Sequence, residues 1–214
     1  MNLMMNPKWN HKHLERVSYD YLKYILTSDT SKYFNRHHFS LVQYCNPKIL
    51  KDNLLSNQAL IEYLSKDLTY LNIGMGGGFL EAVSENHQID SVEWDKQNPF
   101  FRPLRKVLEV DHHLKYIVSD INDDSFAIKT DKVYDYAIFS RFFPINRKWC
   151  KSSEKFFEIL YKVKPYCKGI IIFDTISNYE KEWIKDFEVV KTINNGKQEK
   201  NRFTILQWNF VPQN

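Results

Sequence analysis

The chain has 214 residues, 43% of them hydrophobic and 26% charged, which suits one globular domain with a substantial core, with or without a cap. No apolar run approaches the roughly 20 residues of a membrane-spanning helix, and the opening MNLMMNPKWNHKH lacks the apolar core and small-residue cleavage site of a secretory signal. The cysteines, Cys45, Cys150 and Cys167, are odd in number and form no CxxC pair, so the expected setting is a reduced cytoplasm with free thiols and no membrane partner.

The formal net charge of +4 is unevenly placed. Residues 1–66 hold nine Lys/Arg against five Asp/Glu, and the remainder holds twenty-one of each. That bias could draw an anionic acceptor such as RNA, or it could be the solvated face of a helix.

In chain order, Leu14, Val17, Tyr21, Leu22, Tyr24 and Ile25 recur at the spacing of one helix face. Asn46-Pro47 reads as an N-cap and first helical residue, and Leu50, Leu54, Ile61 and Leu64 continue a second stripe. From Leu68 the texture changes. Strands are expected at 68–73, 89–94, 115–118, 133–140 and 169–174, several of them near-continuous apolar runs as in parallel strands covered on both faces. Helices are expected between them at 78–86, 101–110 and 151–164, the last stopped by Pro165. After a short helix near 178–185, two strand-like runs flank Asn194-Asn195-Gly196-Lys197, a hairpin signal. The predicted architecture is therefore α/β: a doubly wound, mostly parallel seven-stranded sheet ending in an antiparallel hairpin, with a helical N-terminal cap over 1–66 and a Rossmann-like domain over 67–214.

The glycine cluster Gly74-Met75-Gly76-Gly77-Gly78 follows the first strand and opens a helix. Glycines there let the backbone turn sharply and approach a ligand. A dinucleotide loop wants glycines at its first, third and sixth positions; counting from Gly74, the sixth is Phe79. A phosphate loop would need Gly-Lys-Ser/Thr, which is absent. The pattern through Gly74, Gly76 and Gly78 is instead G-x-G-x-G. Downstream, Val92-Glu93-Trp94-Asp95 ends the second strand, Ser119-Asp120-Ile121 follows the third, Tyr134–Ser140 forms the fourth, and Val163-Lys164-Pro165-Tyr166-Cys167-Lys168-Gly169 leads into the fifth.

In that order these landmarks resemble the motifs of class I S-adenosylmethionine (SAM)-dependent methyltransferases, over roughly residues 68–211. The resemblance implies that Asn72, Gly74, Met75, Gly76 and Gly78 form the loop beside the methionine part of SAM. It implies that Glu93 accepts both ribose hydroxyls, with Trp94 beside it, and that Asp120 and Ile121 hold the adenine. Ser140 would edge the site from the fourth strand. Asn72 stands where many members carry an acid, and its amide is expected to orient the loop. Tyr166 and Cys167 replace the usual glycines of the turn before the fifth strand.

Methyl transfer from a sulfonium needs positioning above all, and a base only where the acceptor keeps its proton. Ser140, Arg141, His37 and His38 are the catalytic candidates, with Phe142 and Phe143 available to line an acceptor pocket. The loop after the fourth strand, Ser140-Arg141-Phe142-Phe143-Pro144, is not the Asn/Asp-Pro-Pro-Tyr/Phe of DNA amino-methylating enzymes. No Pro-Cys pair serves cytosine C5 methylation. The histidine pairs His11/His13, His37/His38 and His112/His113 lack partners at ligand spacing, so no metal is expected. Two other readings stay open. One is a polyamine synthase-like aminopropyltransferase, although Ser140 stands where those enzymes need an Asp base; the other is a methyltransferase fold kept as a binding module. A small-molecule acceptor is favoured over RNA or protein, and the oligomeric state is not legible.

Overall fold

A computed structural model of the chain describes residues 6–27, 42–140, 153–175, 188–194 and 202–209. After a 3-10 turn at Pro7–Trp9, α1 (His11–Thr27) and α2 (Pro47–Ile61) form the N-terminal helices. Asn46 caps α2 as expected: its side chain accepts the Lys48 N–H at 2.9 Å while Pro47 occupies the first turn. Leu14, Val17, Tyr21 and Ile25 are buried along α1, but Leu22 lies on its exposed side.

The remainder alternates as β1 (Thr69–Ile73), α3 (Phe79–Val83), β2 (Gln88–Trp94), α4 (Asn98–Val107), β3 (Leu114–Val118), β4 (Tyr134–Ser140), α5 (Ser153–Val163), β5 (Cys167–Thr175), β6 (Glu188–Asn194) and β7 (Arg202–Asn209). The strands make one sheet in the order β3-β2-β1-β4-β5-β7-β6. β1 to β5 pair in parallel, whereas β7 runs antiparallel to both β5 and β6. Residues 195–201, which carry the expected Asn-Gly turn, and the expected helix at 178–185 lie outside the described residues.

Two helices depart from their expected limits. α4 starts at Asn98, three residues early, because Pro99 sits in its first turn, a position that suits a residue without an N–H. α3 ends at Val83, where Ser84 turns its hydroxyl back to the Glu81 carbonyl at 2.8 Å; such a side-chain bond competes with helix continuation.

Strand alternation splits the core. Leu71, Ile73, Ala137, Phe139, Ile170 and Ile172 face Ile159, Leu160 and Val163 of α5 on one side. Tyr70, Ile138, Ile171 and Phe173 face Ala59, Leu60 and Ile61 of α2 and Leu80 of α3 on the other. α2 thus belongs to the layer that covers the sheet, and α1 packs outside it with α4 through Leu14, Tyr21, Leu50, Leu104 and Leu108. No helix among the described residues is long and apolar enough to cross a membrane.

Candidate functional site

The chain leaves β1 to one side and, after β3, crosses to β4 on the other side of β1. This reversal of strand order opens a crevice outside the carboxyl ends of β1 and β4, the place where open α/β sheets receive ligands. The glycine loop borders it, directly after β1. Gly74, Gly76 and Gly78 have φ of 80°, 54° and 79°, a left-handed conformation that costs a residue with a Cβ about 1–2 kcal/mol.

The glycines differ in their surroundings. A Cβ on Gly77 would lie 2.7 Å from Leu104 Cδ2, and one on Gly78 would overlap Val110 Cγ2, so these two let the loop sit against α4 and the turn behind it. A Cβ on Gly76 would meet only the Gly74 carbonyl oxygen, at 4.0 Å. Gly76 is therefore a point at which the loop faces open space.

Glu93, at the end of β2, closes on that point. Its Oε2 accepts the Gly76 N–H at 2.6 Å and its Oε1 accepts the Trp94 N–H at 2.8 Å. The carboxylate is 4% exposed. Burial pushes its pKa above the ordinary carboxylate value, against the lowering effect of the two amides and Arg105.

Arg105 is the site's unforeseen member. Its side chain, on α4, is 0% exposed. Nη1 donates to the Gly76 carbonyl at 2.9 Å and lies 3.8 Å from Glu93 Oε2. Nε donates to Asp111 at 3.1 Å, and Nη2 donates to the Asn98 backbone carbonyl at 3.1 Å and to its side-chain oxygen. Within PFFRPLRKV the residue looks like one more surface cation, and no periodicity marks it.

The other anticipated residues gather at the same strand ends, with different orientations. Asn72 does not orient the loop: it is 1% exposed and its amide donates to Glu81 Oε1 on α3 at 2.6 Å. Ser91 donates to the same oxygen at 2.6 Å. On β1, residues 71 and 73 face α5, so residue 72 must face α3. Met75 is buried beside Leu104 and Val110, and Ile121 beside Val92 and Ala137; only their backbones are left to meet a ligand. Asp120 Oδ1 accepts from the backbone and side-chain N–H groups of Asn122, at 3.0 and 2.8 Å. Trp94 is half-buried, with Lys96 Nζ 5.6 Å from its ring centre. Ser140 donates to Asn57 Oδ1 of α2 at 3.2 Å, which ties β4 to the N-terminal helices. His37, His38, Arg141, Phe142 and Phe143 lie outside the described residues. Among the described residues no group of three or more His, Cys, Asp or Glu side chains could hold a metal.

No protein-family model matches the sequence, and no curated protein matches it by sequence. Solved structures do match by shape. Magnesium protoporphyrin IX methyltransferase from Synechocystis PCC 6803, solved with SAM bound, superposes with a TM-score of 0.52 at 11% identity, over 89% of this chain and 95% of that one. The N,N-8-amino-8-demethyl-D-riboflavin dimethyltransferase of Streptomyces davawensis gives 0.54 at 8% identity, over 97% and 71%. Mitomycin 7-O-methyltransferase gives 0.52 at 10% identity, over 96% and 69%. The fold is that of the class I, Rossmann-like methyltransferases.

Proposed function

We propose that the protein is a SAM-dependent methyltransferase acting on a small-molecule acceptor. The observation that carries this reading is the meeting of the open-faced Gly76 with the Glu93 carboxylate beside the crevice between β1 and β4. The neighbours of the same fold support it, since three are named as methyltransferases and one holds SAM.

SAM, when bound, supplies an activated methyl group on a sulfonium. The chain's own residues would hold and orient it. Gly76 gives close backbone approach, and Glu93 offers its remaining lone pairs to the ribose hydroxyls. Asp120 and the backbone at Ile121 border the adenine end, and Ser140 stands at the β4 edge. Catalysis then rests mainly on alignment, for which oriented reactants are worth up to roughly 7–11 kcal/mol.

A small molecule is favoured over RNA because no dedicated nucleic-acid motif is recognisable and part of the basic charge of α1 is matched within the helix, Arg16 lying 3.6 Å from Asp20. The unpaired spacing of the cysteines supports a cytoplasmic setting. Calorimetric titration with SAM, S-adenosylhomocysteine (SAH) and NAD tests the reading. Micromolar binding of the first two without NAD is the expected result; binding of none of them overturns it.

A further inference from the structure

A buried guanidinium is costly, and an ion taken out of water carries an effective penalty of several kcal/mol unless its donors are met. Arg105 meets that condition with four acceptors drawn from three segments: the Gly76 carbonyl of the glycine loop, both oxygens of Asn98 at the start of α4, and Asp111 in the turn before β3. Simple helix packing would be served as well by an apolar residue, since Leu104 and Leu108 are already buried on this face. One of these bonds holds the Gly76 carbonyl, at a point where the loop faces open space.

We propose that Arg105 is a positioning residue of the nucleotide site, holding the Gly76 carbonyl and facing the Glu93 carboxylate so that loop and acid stay in register for a ribose. This rests on the function proposed above. With 0% exposure Arg105 cannot itself reach a ligand in the crevice. It acts through Gly76, whose carbonyl it binds and whose N–H is held by Glu93.

The charges around Glu93 make the role measurable. Arg105 faces it from α4 and lowers its proton affinity, while Glu81 on α3 and burial raise it. Asp111 lies on the far side of the guanidinium, and His113, in the same turn, acts on Glu81. Without the guanidinium, Glu93 takes up a proton at higher pH, and a neutral carboxyl is the poorer acceptor for ribose hydroxyls. Arg105→Lys keeps the charge but loses the planar fork that reaches several acceptors at once.

The test measures SAH affinity by calorimetry from pH 5.5 to 8.5 in wild type, Arg105→Met and Arg105→Lys, with folding checked by circular dichroism. Arg105→Met is expected to bind roughly tenfold more weakly, the loss of a charge-assisted bond, and to move the pH midpoint of binding upward. Arg105→Lys is expected to bind more weakly by a similar factor with its midpoint in place. If Arg105→Met does not fold, the lysine variant decides. Wild-type affinity and pH profile in a folded variant overturn the positioning role alone. Failure of the wild type to bind SAH overturns the function on which it rests.

Discussion

The glycine loop makes opposite demands at two positions only two residues apart. Alanine at Gly78 must adopt φ near 79° and place a methyl group over Val110 Cγ2, with Met75 Cε at 3.3 Å and Arg105 Cγ at 3.4 Å. Left-handed strain of about 1–2 kcal/mol adds to overpacking of about 1–3 kcal/mol, a total of roughly 2–5 kcal/mol. Alanine at Gly76 carries the strain alone, because its methyl group enters open space. In thermal unfolding, Gly78→Ala should lower Tm by about 4–20 °C and Gly76→Ala by about 2–8 °C, at the sensitivity usual for a chain of this length. Ligand binding should reverse the ranking. A side chain at Gly76 stands where the cofactor's backbone contact is proposed, so Gly76→Val should abolish SAH binding in a protein that still unfolds cooperatively. Equal destabilisation by the two alanines would refute the division of roles, and normal SAH binding by Gly76→Val would refute the loop's place in the site.

Glu93→Ala should weaken SAH binding by about 1–3 kcal/mol through the loss of a charged acceptor, read by calorimetry on folded protein; unchanged affinity would remove Glu93 from the site. Glu109→Gly should stabilise the fold by up to about 1 kcal/mol in urea unfolding, because Glu109 follows the α4 cap residue Leu108 at φ 60° with Val110 N–H bonded to the Arg105 carbonyl, a position past the helix end that glycine fills without strain. Glu81 is buried and its pKa is raised, chiefly by burial, so it ionises at higher pH in the native state than in the unfolded chain. Its contribution is full below the ordinary carboxylate pKa and is lost as pH rises through the folded value. Glu81→Gln should therefore gain stability relative to wild type as pH rises above the ordinary carboxylate value of about 4, and a difference that stays constant with pH would contradict a buried, titrating Glu81.

The parallel strands were legible because strand-forming residues recur between turn and helix signals, with a near-continuous apolar run where both faces are buried, as at GIIIF in β5. LTYLNI, IDSVEW and VYDYAIFS become β1, β2 and β4 with ends shifted by one residue or so. The glycine loop was legible for a different reason, since left-handed turns demand glycine, and Glu93 was singled out by its resemblance to the acid that methyltransferases carry at the end of the second strand. Arg105 and Glu81 were not. Each owes its role to groups distant in sequence, Gly76 for one, Asn72 and Ser91 for the other, and nothing in the local pattern separates them from surface charges. Asn72 was placed on the right strand but given the wrong partner, because the motif records the residue and not the face of the pleat it occupies.

The double duty of α2 bears on how the chain reaches this structure. Leu60 and Ile61 are made early, yet the surfaces they cover, Ile138 on β4 and Ile171 and Phe173 on β5, leave the ribosome much later. Until those strands appear, the apolar side of α2 has no sheet to lie against, and local contacts cannot complete a folded unit. Folding must therefore wait on pairings across most of the chain, which slows it and leaves the apolar side of the nascent α2 uncovered in the meantime.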